Sequence, residues 1–262
     1  MRIQRRFTLA TVGIAASLFV VMLLCIEGGR QLGALQLEQR GADVRTGATN
    51  GDSVVYALLA LLIGFTFNGA AARFDHRRQL VMQQVNATDT AWQRIDALPP
   101  EEQAPIRAGF RRYVDAVLTA DGDPGAQGDP LQMPPAVALA QQEVWTQSMA
   151  ACLVPSGEKA RMLLLPALNE LFGAVDKERL ARRVHPPLMI FAMLGLAELA
   201  GAVFVGYGMA TAPTRNWIFI IGVAATIALA TYVIVDLEYP RLGFIRMNAM
   251  DRALGELRAT MQ

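Results

Sequence analysis

The chain has few of the side chains that build metal centres and covalent cross-links. Its 262 residues include only two cysteines, Cys25 and Cys152, and two histidines, His76 and His185. Since Cys25 lies in an apolar run, neither a disulfide framework nor a cysteine-built zinc site is available. No P-loop, dinucleotide-binding glycine pattern, His-Glu-x-x-His or Gly-x-Ser-x-Gly motif occurs. We therefore expect no enzyme activity, no metal site and no cofactor.

An excess of charge of one sign is also missing. Lys plus Arg total 24 and Asp plus Glu total 23, which gives a net charge of +1. Such a chain has no overall field to attract nucleic acid, so we expect no nucleic-acid partner. Apolar residues are 53% of the chain and charged residues 18%, which is more apolar than an ordinary soluble domain.

The apolar excess lies in four stretches that are long enough to cross a bilayer, which takes about 20 apolar helical residues. The stretches are Phe7–Ile26, Ser53–Ala72, Pro186–Met209 and Trp217–Val235. Backbone polar groups in lipid must be paired within the segment, so each is predicted to be a helix. The first stretch also resembles a signal peptide, but its length and the lack of a cleavage site favour a membrane anchor.

Arginine is distributed unevenly around the four predicted spans. If the chain crosses four times, one side receives Arg2, Arg5, Arg6, Arg73, Arg77, Arg78, Arg179, Arg182, Arg183, Arg241 and Arg246. The other side receives only Arg30, Arg40, Arg45 and Arg215. Because arginine-rich loops stay in the cytoplasm, both termini and the long central segment are predicted to be cytoplasmic.

The central segment, residues 73–183, is predicted to fold as helices. The helical spacing of apolar residues after Phe74 predicts that the second span continues to about Ile95, where Leu98-Pro99-Pro100 stops it. A helix with Ile106, Phe110, Tyr113, Val114 and Val117 on one face follows, and then an exposed loop over Asp121–Pro135. Two further helices are predicted over about Ala136–Leu153 and Gly157–Val184, the second kinked at Pro166. No strand pattern appears.

One ionisable residue, Glu198, lies near the middle of a predicted span. A charge there costs about 2.5 to 3.5 kcal/mol on insertion scales and faces protein or water rather than lipid. Two interpretations stay open at this point. Glu198 lines a hydrated path or binds a proton, or it is hydrogen-bonded between helices.

Two segments resemble bacterial bestrophins. The run Ala60-Leu61-Leu62-Ile63-Gly64-Phe65-Thr66-Phe67-Asn68-Gly69-Ala70-Ala71-Ala72-Arg73-Phe74, with Arg78, Asn86 and Leu98-Pro99 beyond it, resembles their second transmembrane helix. Leu237-Glu238-Tyr239-Pro240-Arg241-Leu242-Gly243-Phe244-Ile245 resembles the stretch after their fourth span. The chain as a whole is similar to the bacterial bestrophin-like membrane proteins, most of which are uncharacterised.

The resemblance implies an all-α, four-span subunit of a homo-oligomeric ion channel, a pentamer, in the bacterial inner membrane. In bestrophins the second helices surround an axial pore and narrow it to an apolar neck. The Gly64-Phe65 match implies that Ala57, Leu61 and Phe65 form the neck and that Asn68 and Ala72 extend the pore lining. Ala57 is smaller than the residue usual at its place, and the acidic calcium clasp of animal bestrophins is missing after Val235, so calcium gating is not implied.

The predicted organisation is two spans with a short periplasmic loop (1–72), a cytoplasmic helical domain (73–183), two further spans (184–238) and a cytoplasmic C-terminal segment (239–262). The expected partners are the bilayer, other copies of the chain and permeating ions. The alternative function is a non-conducting membrane scaffold or signalling protein that binds a soluble partner through its cytoplasmic helices. Both functions give the same spans, apolar stripes and charge bias.

Overall fold

The computed structural model describes residues 2–40, 45–122, 132–212, 214–239 and 248–261. Within these ranges the regular structure is helical, which confirms the all-α prediction. The helices are α1 (Arg2–Arg40), α2 (Arg45–Arg94), α3 (Pro100–Gly122), α4 (Pro135–Leu153), α5 (Glu158–Ala181), α6 (Leu188–Gly208), α7 (Trp217–Glu238) and α8 (Asn248–Thr260). Short 3-10 turns cover Ile95–Ala97, Pro155–Gly157 and Met209–Thr211.

Among the described residues, four helices are long and apolar enough to cross a membrane, as the sequence predicts. These segments are Ala10–Gln39 in α1, Val54–Ala97 in α2 and its following turn, Leu188–Gly208 in α6 and Trp217–Glu238 in α7. The predicted continuation of the second span is also confirmed, because α2 is one helix as far as Arg94. Leu98 then has extended backbone before Pro99-Pro100, where the helix was expected to stop. Most of the loop predicted over Asp121–Pro135 lies outside the described residues.

The chain divides into two compact units. The first unit comprises Met1–Phe74 and His185–Ile245 and contains the candidate spans except the later part of α2. The second unit comprises Asp75–Val184 and Arg246–Gln262. The C-terminal helix α8 therefore packs with the central helices, although residues 185–245 separate them in the sequence.

In the first unit α1 and α6 are in backbone contact. A Cβ atom built on Gly206 would lie 1.8 Å from the carbonyl oxygen of Ile26, and one on Gly29 would lie 2.0 Å from that of Val203. No residue larger than glycine fits at either position without a shift of the backbone. Small residues have this role in membranes, where apolar burial does not drive helices together and close van der Waals packing does. Met22, Ile26 and Ala202 fill the core beside the contact.

Gly206→Ala is expected to destabilise the first unit by about 1–3 kcal/mol, because the added methyl group overlaps the Ile26 carbonyl and forces α1 and α6 apart. The matched control is Gly195→Ala on the same helix, where nothing lies within 4 Å of the built Cβ. Thermal unfolding of the two variants in the same detergent compares them directly. Equal melting temperatures for both variants and the parent would contradict the close contact.

The second unit has an aromatic core that the apolar stripes predict. Phe110 and Tyr113 of α3 are buried, with ring centroids 6.3 Å apart, and Tyr113 meets Phe172 of α5 edge-on at 5.5 Å. Leu254 of α8 and Met261, just after it, are buried in the same core. In addition Arg258 of α8 donates hydrogen bonds from Nε and Nη2 to the two carboxylate oxygens of Asp115 in α3, at 2.8 and 2.9 Å. Pro166 lies inside α5, as expected, while the kink stays a prediction.

Candidate pore face and buried carboxyl groups

Helix α2 is packed on one side only within the first unit. Leu59, Thr66 and Ala70 are buried on that side. Leu59 lies against Gly201 of α6, since a Cβ there would be 2.9 Å from its Cδ2 atom. Ala70 packs in a cluster with Leu194 of α6 and with Ile234 and Leu237 of α7. The packed side of α2 is therefore held by α6 and α7.

The other side of α2 carries the five residues that the resemblance assigns to the pore. They are Ala57, Leu61, Phe65, Asn68 and Ala72, and all of them are exposed. Leu61 is 53% exposed and Phe65 is 67% exposed. Their spacing of four, four, three and four residues keeps them on one helical face. The structure thus brings the five together on a surface that the single chain leaves uncovered.

Exposure alone does not distinguish a pore face from a lipid face. Leu196 of α6 is 70% exposed and Leu229 of α7 is 62% exposed, as lipid-facing side chains should be. The α2 face differs from these surfaces because it also carries Asn68. This amide makes no hydrogen bond to another described residue, and in lipid it would be left without a partner. Asn68 therefore favours water or another protein chain as the neighbour of this face.

Glu198 lies away from this exposed face. Its side chain is 0% exposed, and the Thr231 hydroxyl of α7 donates a 2.5 Å hydrogen bond to its Oε1 atom. Oε2 is buried too and has no hydrogen-bond partner among the described residues. The carboxyl group thus lies between α6 and α7. Of the two interpretations, this geometry favours a hydrogen-bonded position inside the helix bundle.

Glu198→Gln is expected to leave thermal stability and ion dependence unchanged, since glutamine keeps the shape and the oxygen that accepts the Thr231 bond. Glu198→Ala should instead destabilise the protein by about 1–3 kcal/mol, because it leaves a cavity and a buried hydroxyl without its partner. Unfolding in detergent and flux measurements at several pH values test both variants. A Glu198→Gln protein with altered proton or ion dependence would favour the hydrated path instead.

Sequence analysis missed the role of a buried carboxylate at the end of α7. Glu238 is 1% exposed, and Arg73 of α2 binds its Oε1 atom through Nε at 2.6 Å. His185, just before α6, lies 3.5 Å from the Oε2 atom and stacks on Tyr239. The group links α2, the connection before α6 and the end of α7. Arg73 and Glu238 both fall within the motifs that suggested the family, but their pairing has no signature in a single sequence.

A second charged group, around Glu27 of α1, was also missed. Glu27 accepts hydrogen bonds from Arg30 at 2.9 Å and from Arg215 at 3.1 Å. Arg215 lies in the short connection between α6 and α7, so this group fixes that connection to α1. Nearby, the Tyr207 hydroxyl donates to Gln36 at 2.7 Å. Along the part of the chain that the structure describes, no three His, Cys, Asp or Glu side chains form a group fit to hold a metal ion.

Comparisons with known proteins agree with this architecture. A family model described as the bestrophin-like domain matches residues 30–249. The chain belongs to the bestrophin-like family. No curated protein matches it.

Solved structures extend the likeness to nearly the whole chain. A variant of a bacterial bestrophin homolog from Klebsiella pneumoniae, with a tyrosine changed to alanine, has a TM-score of 0.70 at 13% identity. The match covers 93% of this chain and 98% of that one. A variant with a tryptophan changed to alanine gives 0.65 at 17% identity, over 94% and 98%. A structure described only as a membrane protein gives 0.67 at 17% identity, over 93% and 98%. At such low identity these matches show a shared fold.

Proposed function

We propose that this bestrophin-like protein is a pentameric ion channel of the bacterial inner membrane. Ions cross through an axial pore that the α2 helices line, and Ala57, Leu61 and Phe65 form its apolar neck. Asn68 and Ala72 continue the lining. Both termini and the second unit lie in the cytoplasm, in keeping with the arginine distribution.

The observation that carries the proposal is the uncovered face of α2. One side of the helix packs on α6 and α7, while the opposite side exposes Leu61, Phe65 and Asn68 within a span. In a ring of subunits around an axis, this face contacts the same face of the other subunits and the water of the pore. Water therefore solvates the Asn68 amide. The bestrophin-like family and fold support the same arrangement.

The expected mechanism is a hydrophobic constriction. A narrow ring of leucine and phenylalanine offers no oxygen or nitrogen to replace the water of an ion, so it opposes passage when narrow and admits hydrated ions when wider. The five exposed residues have no ionisable side chain. The neck therefore controls the passage of ions, and this control requires no proton transfer.

The purified protein should have the mass of five subunits per particle. An axial pore requires a ring of subunits, and the exposed α2 face requires contact with another subunit or with water. Mass per particle in mild detergent and in lipid nanodiscs, with the bound detergent or lipid subtracted, measures the subunit number. A strictly monomeric protein in all of these conditions would exclude the axial pore and favour the non-conducting scaffold.

Leu61→Ala combined with Phe65→Ala should raise conductance or open probability in planar bilayers, because the smaller side chains widen the apolar ring. The matched control is Leu196→Ala with Leu229→Ala, which removes exposed apolar side chains of α6 and α7 instead. The control should behave as the parent does. If the parent gives no current and the correctly assembled Leu61→Ala, Phe65→Ala protein gives none either, the result would contradict the hydrophobic neck.

A further inference from the structure

The group around Glu27 carries more positive charge than its carboxylate needs. Arg30 donates hydrogen bonds to both oxygens of Glu27, at 3.2 and 2.9 Å, and Gln31 donates a further one at 3.3 Å. One guanidinium is enough to neutralise one carboxylate. Arg215 nevertheless binds the same Oε1 atom at 3.1 Å, so the group contains two positive charges and one negative charge.

The second guanidinium is accessible. The side chain of Arg215 is 46% exposed, and it binds Glu27 through Nη2 alone. Its other two nitrogens donate no hydrogen bond to a residue that the structure describes. Arg30 and Arg215 also form no ion pair with another described carboxylate. An anion with free oxygens would therefore find N–H donors here and would balance the charge of the group.

The arginines of this group are not explained by membrane topology. Arginine clusters at the opposite ends of the spans follow from the rule that such clusters stay in the cytoplasm. The end that contains Glu27 is predicted to receive only four arginines, and the group uses two of them, Arg30 and Arg215. A local interaction has to account for their presence here.

The group lies close to the membrane surface. Residues 212–216 alone connect the turn after α6 to α7, so this connection cannot extend far from the ends of the spans. Trp217, the first residue of α7, is 55% exposed, and the guanidinium carbon of Arg215 lies 5.9 Å from the centroid of its ring. Tryptophan is enriched at the level of the lipid headgroups, and arginine extends its charged end to the same level.

An apolar face of α7 continues from this group into the span. Ile218, Ile221 and Leu229 are exposed and lie at helical spacing along it. A lipid whose headgroup binds Arg215 would place its acyl chains along this face.

We propose that Arg215 and Arg30, beside Trp217, bind the phosphate of an anionic membrane lipid. A lipid phosphate diester has one negative charge and two unesterified oxygens, which matches the net charge of the group and the paired N–H donors of a guanidinium. The bound lipid becomes a further partner that holds the connection between α6 and α7 on α1. The inference goes beyond the proposed function and does not depend on it, because it requires only that the spans lie in a bilayer.

The first test compares two lipids that differ in the phosphate. Delipidated protein in mild detergent is titrated with dioleoylphosphatidylglycerol or with dioleoylglycerol, and native mass spectrometry counts the bound molecules. The parent should bind one phosphatidylglycerol per subunit at least about tenfold more tightly than the diacylglycerol, which offers no charged oxygen to the guanidinium groups. Equal affinity for the two lipids would overturn the proposal.

The second test removes the accessible charge. Arg215→Gln should lower the affinity for phosphatidylglycerol by roughly tenfold and leave the affinity for diacylglycerol unchanged. The matched control is Arg112→Gln in α3 of the second unit, because Arg112 is also about half exposed and also pairs with one carboxylate, Glu143. The control should bind phosphatidylglycerol as the parent does. An Arg215→Gln protein that keeps the affinity of the parent, or an equal loss in both variants, would contradict the site.

Hydrogen exchange locates the lipid on the parent itself, so this test stands even if Arg215→Gln does not fold. Phosphatidylglycerol should slow exchange in the peptide that contains Arg215 and Trp217, while diacylglycerol and inorganic phosphate should not. Slowing that occurs only elsewhere overturns the site, and an equal effect of inorganic phosphate overturns the lipid as its ligand. Full protection of this peptide before lipid is added would show that a second copy of the chain covers the face, and would exclude the lipid as well.

Discussion

The close approach of α1 and α6 is the constraint on which the membrane-spanning part of the structure depends. Lipid is as apolar as leucine, so burial of apolar side chains contributes little to helix association within a bilayer. Gly206 and Gly29 instead bring the two backbones together, and Met22 and Ile26 pack beside them. Helix α7 joins this pair, since Ile220 and Ala224 belong to the same core. Of these three helices, α6 and α7 form the surface against which one side of α2 packs.

The polar groups of the spans follow from the same arrangement. Glu198 and Glu238 are buried on the packed side, where Thr231 and Arg73 supply hydrogen bonds that lipid cannot. Loss of the partner at either place would leave a buried polar group without a hydrogen bond, which is costly. The exposed face of α2, by contrast, has no ionisable group between Ala57 and Ala72. The polar contacts of the spans thus lie on the packed side, and the candidate pore face carries apolar side chains and one amide.

Much of this fold could be predicted from periodicity and composition. Uncharged runs of about 20 residues locate spans because the bilayer has a fixed thickness, and the stripe through Phe110 and Tyr113 predicts a buried helix face. The resemblance supplied the five residues of the α2 face. Pairings between distant segments could not be predicted in this way. Arg73 with Glu238, Glu27 with Arg215 and Arg258 with Asp115 depend on how the helices are placed, and a single sequence records no such distances. The glycine contacts were missed because Gly29 and Gly206 look the same as Gly195, which touches nothing.

In the proposed channel, helix α2 has to meet two requirements that are usually in conflict. A helix that lines an aqueous path should be polar, whereas a helix that crosses lipid and blocks ions at rest should be apolar. Within the first unit, the exposed face of α2 is apolar at Leu61 and Phe65 and carries an amide at Asn68. Because the apolar side chains of the proposed neck exclude ions of both signs alike, an ion preference of the proposed channel has to arise at polar groups outside the neck.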